Sequence, residues 1–166
     1  MDHLWSPWRY RYVSRAAEAG GCIFCEMAPA GRDEENFVVH RGRRNFVLLN
    51  LYPYSNGHLM IAPYAHAATL EEAGEEAVGE MMLLAREAAR HLGALYRPKG
   101  LNLGMNVGEC AGAGVAGHIH MHVLPRWPGD VNFMTTIGET RVIPEELRVS
   151  WSRLAEAFRG GGLAQR

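Results

Sequence analysis

The chain has 166 residues, 48% of them hydrophobic, and its Lys+Arg 17 against Asp+Glu 18 leaves a formal net charge of -1 at pH 7. That length supports one well-buried core and is short for two ordinary domains, while the balanced charge gives no electrostatic case for a nucleic-acid polymer as partner. No run of about twenty apolar residues offers a membrane span. The opening Met1-Asp2-His3-Leu4-Trp5-Ser6-Pro7-Trp8 lacks the apolar run of a signal peptide, and an odd cysteine count (Cys 3) argues against a secreted disulfide framework. The expectation is a cytoplasmic protein, one domain over 1–166, with no membrane partner and no organic cofactor.

In chain order, an aromatic arm comes first, over 1–20. Its Trp5, Trp8, Tyr10 and Tyr12 are read as core or subunit packing, and Arg9 and Arg11 as solvated surface. Asn36–His40 and Asn45–Asn50 are short apolar runs around the turn Arg41-Gly42-Arg43-Arg44, the pattern of an antiparallel hairpin. A third strand is expected over Gly57–Ala62, ending before Pro63, which has no N–H for the ladder. From Thr69 to Tyr96 the period becomes helical, with Leu70, Ala73, Ala77, Met81, Leu84, Ala88 and Leu92 three or four apart. Thr69 before Glu71 and Glu72 makes a capped, dipole-matched start, and Pro98 and Gly100 close the helix. A fourth strand over Gly100–Asn106, a glycine-rich loop over Gly108–Gly117 and a fifth strand over Gly117–Leu124 follow. A second helix is expected over Pro144–Phe158, with Pro144 in its first turn, and the tail from about 160 to 166 is expected to be flexible. These elements predict an α+β fold: a five-stranded, mostly antiparallel sheet carrying one long helix and a C-terminal helix.

The fifth strand carries the chemistry. Residues two apart in a strand share a face, so His118, His120 and His122 turn one way and Ile119, Met121 and Val123 the other. With His 8 in 166 residues, chance yields such a triplet somewhere with a probability of roughly 0.02. The bland alternative is the polar face of an edge strand, which ordinarily carries Lys, Glu and Thr. A neutral imidazole attacks phosphorus readily, and a second one beside it can stabilise phosphoryl oxygens or protonate a leaving group. The loop from Asn106 through Gly112 and Gly114 leads straight into this strand, and its glycines let backbone N–H groups approach an anion.

His118-Ile119-His120-Met121-His122-Val123-Leu124 resembles the signature of the histidine triad (HIT) nucleotide-binding proteins. Gly57-His58-Leu59-Met60-Ile61-Ala62-Pro63 is similar to the upstream strand that supplies their fourth histidine. The stretch from Pro125-Arg126-Trp127 to Val142-Ile143-Pro144 resembles the diadenosine tetraphosphate phosphorylase branch, with the fragile-histidine-triad hydrolases as neighbours. The resemblance implies a HIT-like fold, a homodimer and a nucleotide substrate cleaved at a phosphoanhydride through a nucleotidyl-histidine. It implies His120 as nucleophile, His122 on the α-phosphate oxygens, His58 orienting the pair and His118 supporting it. Asn50 would contact the ribose and Asn106 lie near the phosphates, though turn and strand-end hydrogen bonding explains either asparagine equally well. Gly112 and Gly114 would offer backbone N–H groups, and Trp127 would stack on a base. Hydrolytic relatives carry Gln and then Ser or Thr four and three residues before the first histidine of the triad. Gly114 and Val115 stand there, so backbone groups replace those side chains or the space admits inorganic phosphate as acceptor. A nucleoside phosphoramidate hydrolase and a non-catalytic nucleotide- or zinc-binding module are the rival readings.

Cys22 and Cys25 have the spacing of half a tetrahedral zinc site, which His66 and His118 would complete, as similar pairs do in some relatives. The alternatives are two buried cysteines or a redox pair. For a redox pair, Gly20-Gly21-Cys22 supplies no strand-to-helix context.

Overall fold

A computed structural model of the chain describes residues 21–29, 31–130 and 143–160. The aromatic arm, the segment 131–142 and the tail beyond 160 lie outside the described residues. The elements are α1 (Ile23–Met27), β1 (Val38–Arg41), β2 (Asn45–Leu49), β3 (Leu59–Pro63), α2 (Leu70–Tyr96), β4 (Gly100–Met105), a 3₁₀ turn (Glu109–Ala111), β5 (Met121–Arg126) and α3 (Leu147–Gly160). The five strands form one sheet in the order β1-β2-β3-β5-β4, with every neighbouring pair antiparallel. This is the expected α+β architecture.

The sheet is buried on both faces at its centre, where every residue of β2 and β3 is buried. Val47, Leu49, Leu59, Ile61, Met121 and Val123 pack with Met81, Leu84, Ala88 and Leu92 of α2 and with Leu154 and Phe158 of α3. On the opposite face Val38, Phe46, Leu48, Met60 and Ala62 pack with Phe24 of α1. Burying side chains of this size contributes about 1.5–3 kcal/mol each. His58, His120 and His122 belong to the second face, on the side away from the long helices.

The start of α2 follows the expected chemistry. Thr69 Oγ1 accepts the Glu72 N–H at 3.2 Å, and the Glu72 carboxylate accepts the Ala68 N–H at 2.7 Å, a reciprocal cap. One turn later Gly74 leaves helical geometry, at φ 78 and ψ 161, so α2 is kinked where a continuous helix was expected. Glu80 then ties the helix to the β1–β2 turn, accepting the N–H groups of Arg43, Arg44 and Asn45 at 2.7–2.8 Å and the Asn45 amide at 2.9 Å.

Several expected boundaries move, each for a long-range reason. In β1 a bulge between Val38 and His40 turns Val39 toward the helices, and His40 stacks on Phe158 at 5.2 Å. Pro63 joins the last rung of β3 opposite Asn45, because at the strand end its missing N–H leaves no partner unsatisfied. β5 begins at Met121 instead of Gly117: the Ile119 N–H goes to the Ala67 carbonyl at 2.7 Å, outside the ladder. α3 starts at Leu147, leaving Pro144 outside it. Ahead of that start the Glu145 carboxylate accepts from the Tyr96 hydroxyl at 2.6 Å and the Ser150 hydroxyl at 2.6 Å, and pairs with Arg153. α1 and the 3₁₀ turn have no counterpart in the expected elements.

Candidate active site

The register of β3 and β5 assembles the centre. Met60 lies opposite His122, so His58, two residues back from Met60, shares the face of His122. His58 is fully buried, and its Nε2 lies 2.9 Å from His122 Nδ1. The Tyr54 N–H points at His58 Nδ1 from 3.1 Å. A backbone N–H only donates, so His58 Nδ1 accepts and the proton of the neutral ring sits on Nε2. From there it is donated to His122 Nδ1, which leaves the His122 proton on Nε2.

His120 has the opposite tautomer. Its Nδ1 lies 2.9 Å from the His118 carbonyl, which only accepts, so Nδ1 carries the proton and Nε2 keeps its lone pair. Burial pushes the His120 pKa below its ordinary value, against the opposing pull of that carbonyl, and the ring is neutral at neutral pH. The rings of His120 and His122 meet edge to face at 5.0 Å. Together they form a nucleophilic nitrogen beside a hydrogen-bond donor.

Both rings line a cleft with Asn50, Tyr52, Tyr54, Met60, Asn106, Gly112, Gly114, Val115 and Phe24. The structure thus brings together His120, His122, Asn50, Asn106, Gly112 and Gly114, with His58 directly behind them. Trp127 is not in this cleft. It lines a neighbouring cavity of about 350 Å³ with Tyr54, Asn56 and Asp130, and its indole N–H donates to the Tyr96 carbonyl at 3.3 Å. The two cavities share Tyr54. Sequence reasoning missed Phe24, Tyr52, Tyr54 and Met60 as cleft residues. Phe24 had a signal in its place inside the CxxC pair; Tyr54, which meets His58 through both its N–H and its ring, had none.

The expected common wall of three imidazoles is divided. Phe24 wedges between the first two, with its ring 5.1 Å from His118 and 4.8 Å from His120. The His118 ring faces the cysteines instead of the cleft: its Nδ1 is 3.1 Å from Cys22 Sγ and 3.6 Å from Cys25 Sγ. Cys25 Sγ is 3.3 Å from His66 Nδ1. One ligand atom from each of Cys22, Cys25, His66 and His118 lies within 4.8 Å of the others. A tetrahedral zinc ion holds such atoms about 3.3–3.8 Å apart. The His118 Nε2–H donates to the Pro63 carbonyl at 2.9 Å, which aims the Nδ1 lone pair at the two sulfurs, as a metal ligand requires. Burial and the adjacent Cys22 raise the Cys25 pKa, a cost that a bound cation would offset. The donor set therefore fits zinc. Arg41 fixes this corner, donating to the carbonyls of Met27, Ala28 and Pro29 at the end of α1 and pairing with Asp33.

Comparisons with known proteins bear on the family and the fold. The HIT domain family model matches residues 32–129. The AP-4-A phosphorylase of Mycobacterium tuberculosis is 40% identical over 156 residues, covering 89% of this chain and 80% of that protein. The crystal structure of a Zn-bound histidine triad family protein from Mycobacterium smegmatis superposes with a TM-score of 0.68 at 25% identity, covering 86% of this chain and 96% of that one. A hypothetical histidine triad nucleotide-binding protein from Sulfolobus tokodaii gives a TM-score of 0.67 at 26% identity, over 84% of this chain and 93% of that one. Among the described residues no helix is long and apolar enough to cross a membrane.

Proposed function

The chain belongs to the HIT domain family, and on that premise we propose that it is a cytoplasmic enzyme, a single domain over 1–166. In this reading it splits dinucleoside polyphosphates such as diadenosine tetraphosphate, with inorganic phosphate as the acceptor. The observation that carries it is the pairing of opposite tautomers on neighbouring rings: a free His120 Nε2 lone pair beside a His122 Nε2–H donor.

The His120 lone pair attacks the α-phosphorus, the P–N bond forms, and the anhydride P–O bond breaks to release the remaining nucleotide as an anion. The His118 carbonyl holds the Nδ1 proton and stabilises the positive charge that the ring acquires. His122 and the backbone of the Gly112–Gly114 loop bind the phosphoryl oxygens, and His58 holds His122 in its donor form. Asn106 borders the phosphates, Asn50 the ribose, and Trp127 stacks on a base at the cavity beyond Tyr54. Phosphate oxygen then attacks the same phosphorus and the P–N bond breaks, giving a nucleoside diphosphate.

Gly114 and Val115 support phosphate as acceptor, since neither side chain offers a hydrogen bond to position water, and both border the cleft. Zinc, held by Cys22, Cys25, His66 and His118, would act structurally, fixing α1 and with it Phe24 against His120. A homodimer is supported by edge strand β4, whose exposed Leu103 and the nearby Val107 present an apolar margin. Incubating diadenosine tetraphosphate with millimolar phosphate is expected to yield ADP plus ATP. AMP plus ATP at every phosphate concentration would make the enzyme a hydrolase.

A further inference from the structure

Asn50 sits one rung beyond the last paired residues of β2 and β3, its N–H donating to the His58 carbonyl at 3.0 Å. The two side chains therefore share a face. The Asn50 amide is engaged within the protein at both ends. Its Oδ1 accepts the Tyr52 N–H at 3.0 Å, an Asx turn, and since that backbone group can only donate, the amide orientation is settled. Nδ2 then faces His58 Nδ1 at 3.4 Å. With the Tyr54 N–H at 3.1 Å, His58 Nδ1 receives two donors and has no room for a proton of its own.

We propose that Asn50 is a positioning residue of the transfer reaction: by donating to His58 Nδ1 beside the Tyr54 N–H it reinforces the lock of the His58 proton on Nε2, and so holds His122 as an Nε2–H donor aimed into the cleft. The lock is directional. His58 cannot withdraw its Nε2 proton to Nδ1, so the His122 Nδ1 lone pair stays occupied at 2.9 Å. The phosphoryl oxygens thus meet a hydrogen-bond donor of fixed direction. Among the described residues, titratable groups whose rings face His58 include His122 at 5.1 Å and Tyr54 at 4.8 Å. The tautomer argument stands on the protein alone, and only its kinetic consequence rests on the proposed transfer reaction.

Asn50→Asp tests it, because the side chain keeps its shape and its Asx turn while the donor toward His58 becomes an anionic acceptor. A carboxylate at that distance favours an imidazolium by about one pKa unit or more. In ¹⁵N-labelled, unliganded wild-type protein at pH 7, long-range imidazole correlations are expected to show both His58 and His122 as Nε2–H tautomers. In Asn50→Asp, His58 is expected to gain Nδ1 protonation and the His122 Nδ1 signal to shift. The kcat of Asn50→Asp is expected to fall at least about tenfold at pH 6 and to recover as pH rises, its acidic limb displaced upward by about one unit, with KM changed much less. Asn50→Ala, which removes the donor without adding charge, is expected to lower kcat without moving that limb.

Unchanged His58 and His122 signals in Asn50→Asp, or an Nδ1–H tautomer at either ring in the wild type, would overturn the proposal. So would a defect confined to KM that disappears on a 2′,3′-dideoxy substrate, the behaviour of a ribose contact alone. Wild-type protein that turns over no dinucleoside polyphosphate would defeat the functional reading and leave the tautomer measurement to decide this one.

Discussion

Gly57, the residue before His58, has φ +71, and a Cβ added there would lie 2.8 Å from Leu92 Cδ2 and 3.1 Å from Tyr96 Cε2. Neither neighbour yields readily: Leu92 is fully buried, and Tyr96 is held through its hydroxyl by Glu145. Gly57→Ala therefore carries two costs, about 1–2 kcal/mol for a left-handed L-residue and about 1–3 kcal/mol for overpacking. Gly74 is the control. Its φ is +78, and an added Cβ meets nothing within 4 Å, so Gly74→Ala carries only the backbone cost. Urea unfolding of both variants is expected to find Gly57→Ala less stable by about 2–5 kcal/mol and Gly74→Ala by about 1–3 kcal/mol. The gap between them measures the packing of Gly57 on α2, and the larger loss corresponds to a Tm drop of roughly 4–20 °C for a chain of this size. Equal destabilisation of the two variants, or a Gly57→Ala effect below about 0.5 kcal/mol, would refute the reasoning.

Three further outcomes are expected. Burial holds the pKa of His40 and of His91 below the ordinary value by desolvation, His40 stacked on Phe158 and His91 tilted against the same ring. The unfolded chain takes up protons at these residues first on acidification, so their stabilisation is present above pH ~6.5 and lost as pH falls below it. Thermal melts from pH 7.5 to 5.5 are expected to decline more steeply for wild type than for a His40→Gln/His91→Gln double variant, and parallel curves would contradict this. Chelation is expected to remove about one zinc per chain and lower the Tm, and metal analysis showing substoichiometric zinc that Cys22→Ala leaves unchanged would eliminate the site. Glu80→Gln, which weakens four hydrogen bonds to an ionised carboxylate, is expected to cost about 1.5–3 kcal/mol in denaturant unfolding, and a neutral effect would contradict the tie between α2 and the β1–β2 turn.

Much of the fold was legible wherever the information is local. The alternation around His118–Val123 identified the faces, since Ile119, Met121 and Val123 are all buried and Met121 and Val123 join the core beneath α2. The helical period and the Thr69 cap located α2. The features that escaped depend on partners far along the chain. Phe24 reaches His120 across 96 residues of sequence, Glu145 ties α3 to Tyr96, and the loop into β5 is drawn off the ladder by Ala67. The direction of the His118 ring was ambiguous for the same reason. Strand periodicity assigns it a face, but only the position of α1 turns it toward Cys22 and Cys25.

The account's central claim is that His120 Nε2 carries the nucleotide between donor and acceptor. The most direct measurement is to quench the enzyme during turnover of diadenosine tetraphosphate labelled at the α-phosphorus, and to map the protein-bound label by peptide mass spectrometry. The account predicts an acid-labile nucleotidyl phosphoramidate on His120 in wild type, with neither label nor turnover in a folded His120→Ala variant. Label on any other residue, or turnover by His120→Ala at the wild-type rate, would contradict it.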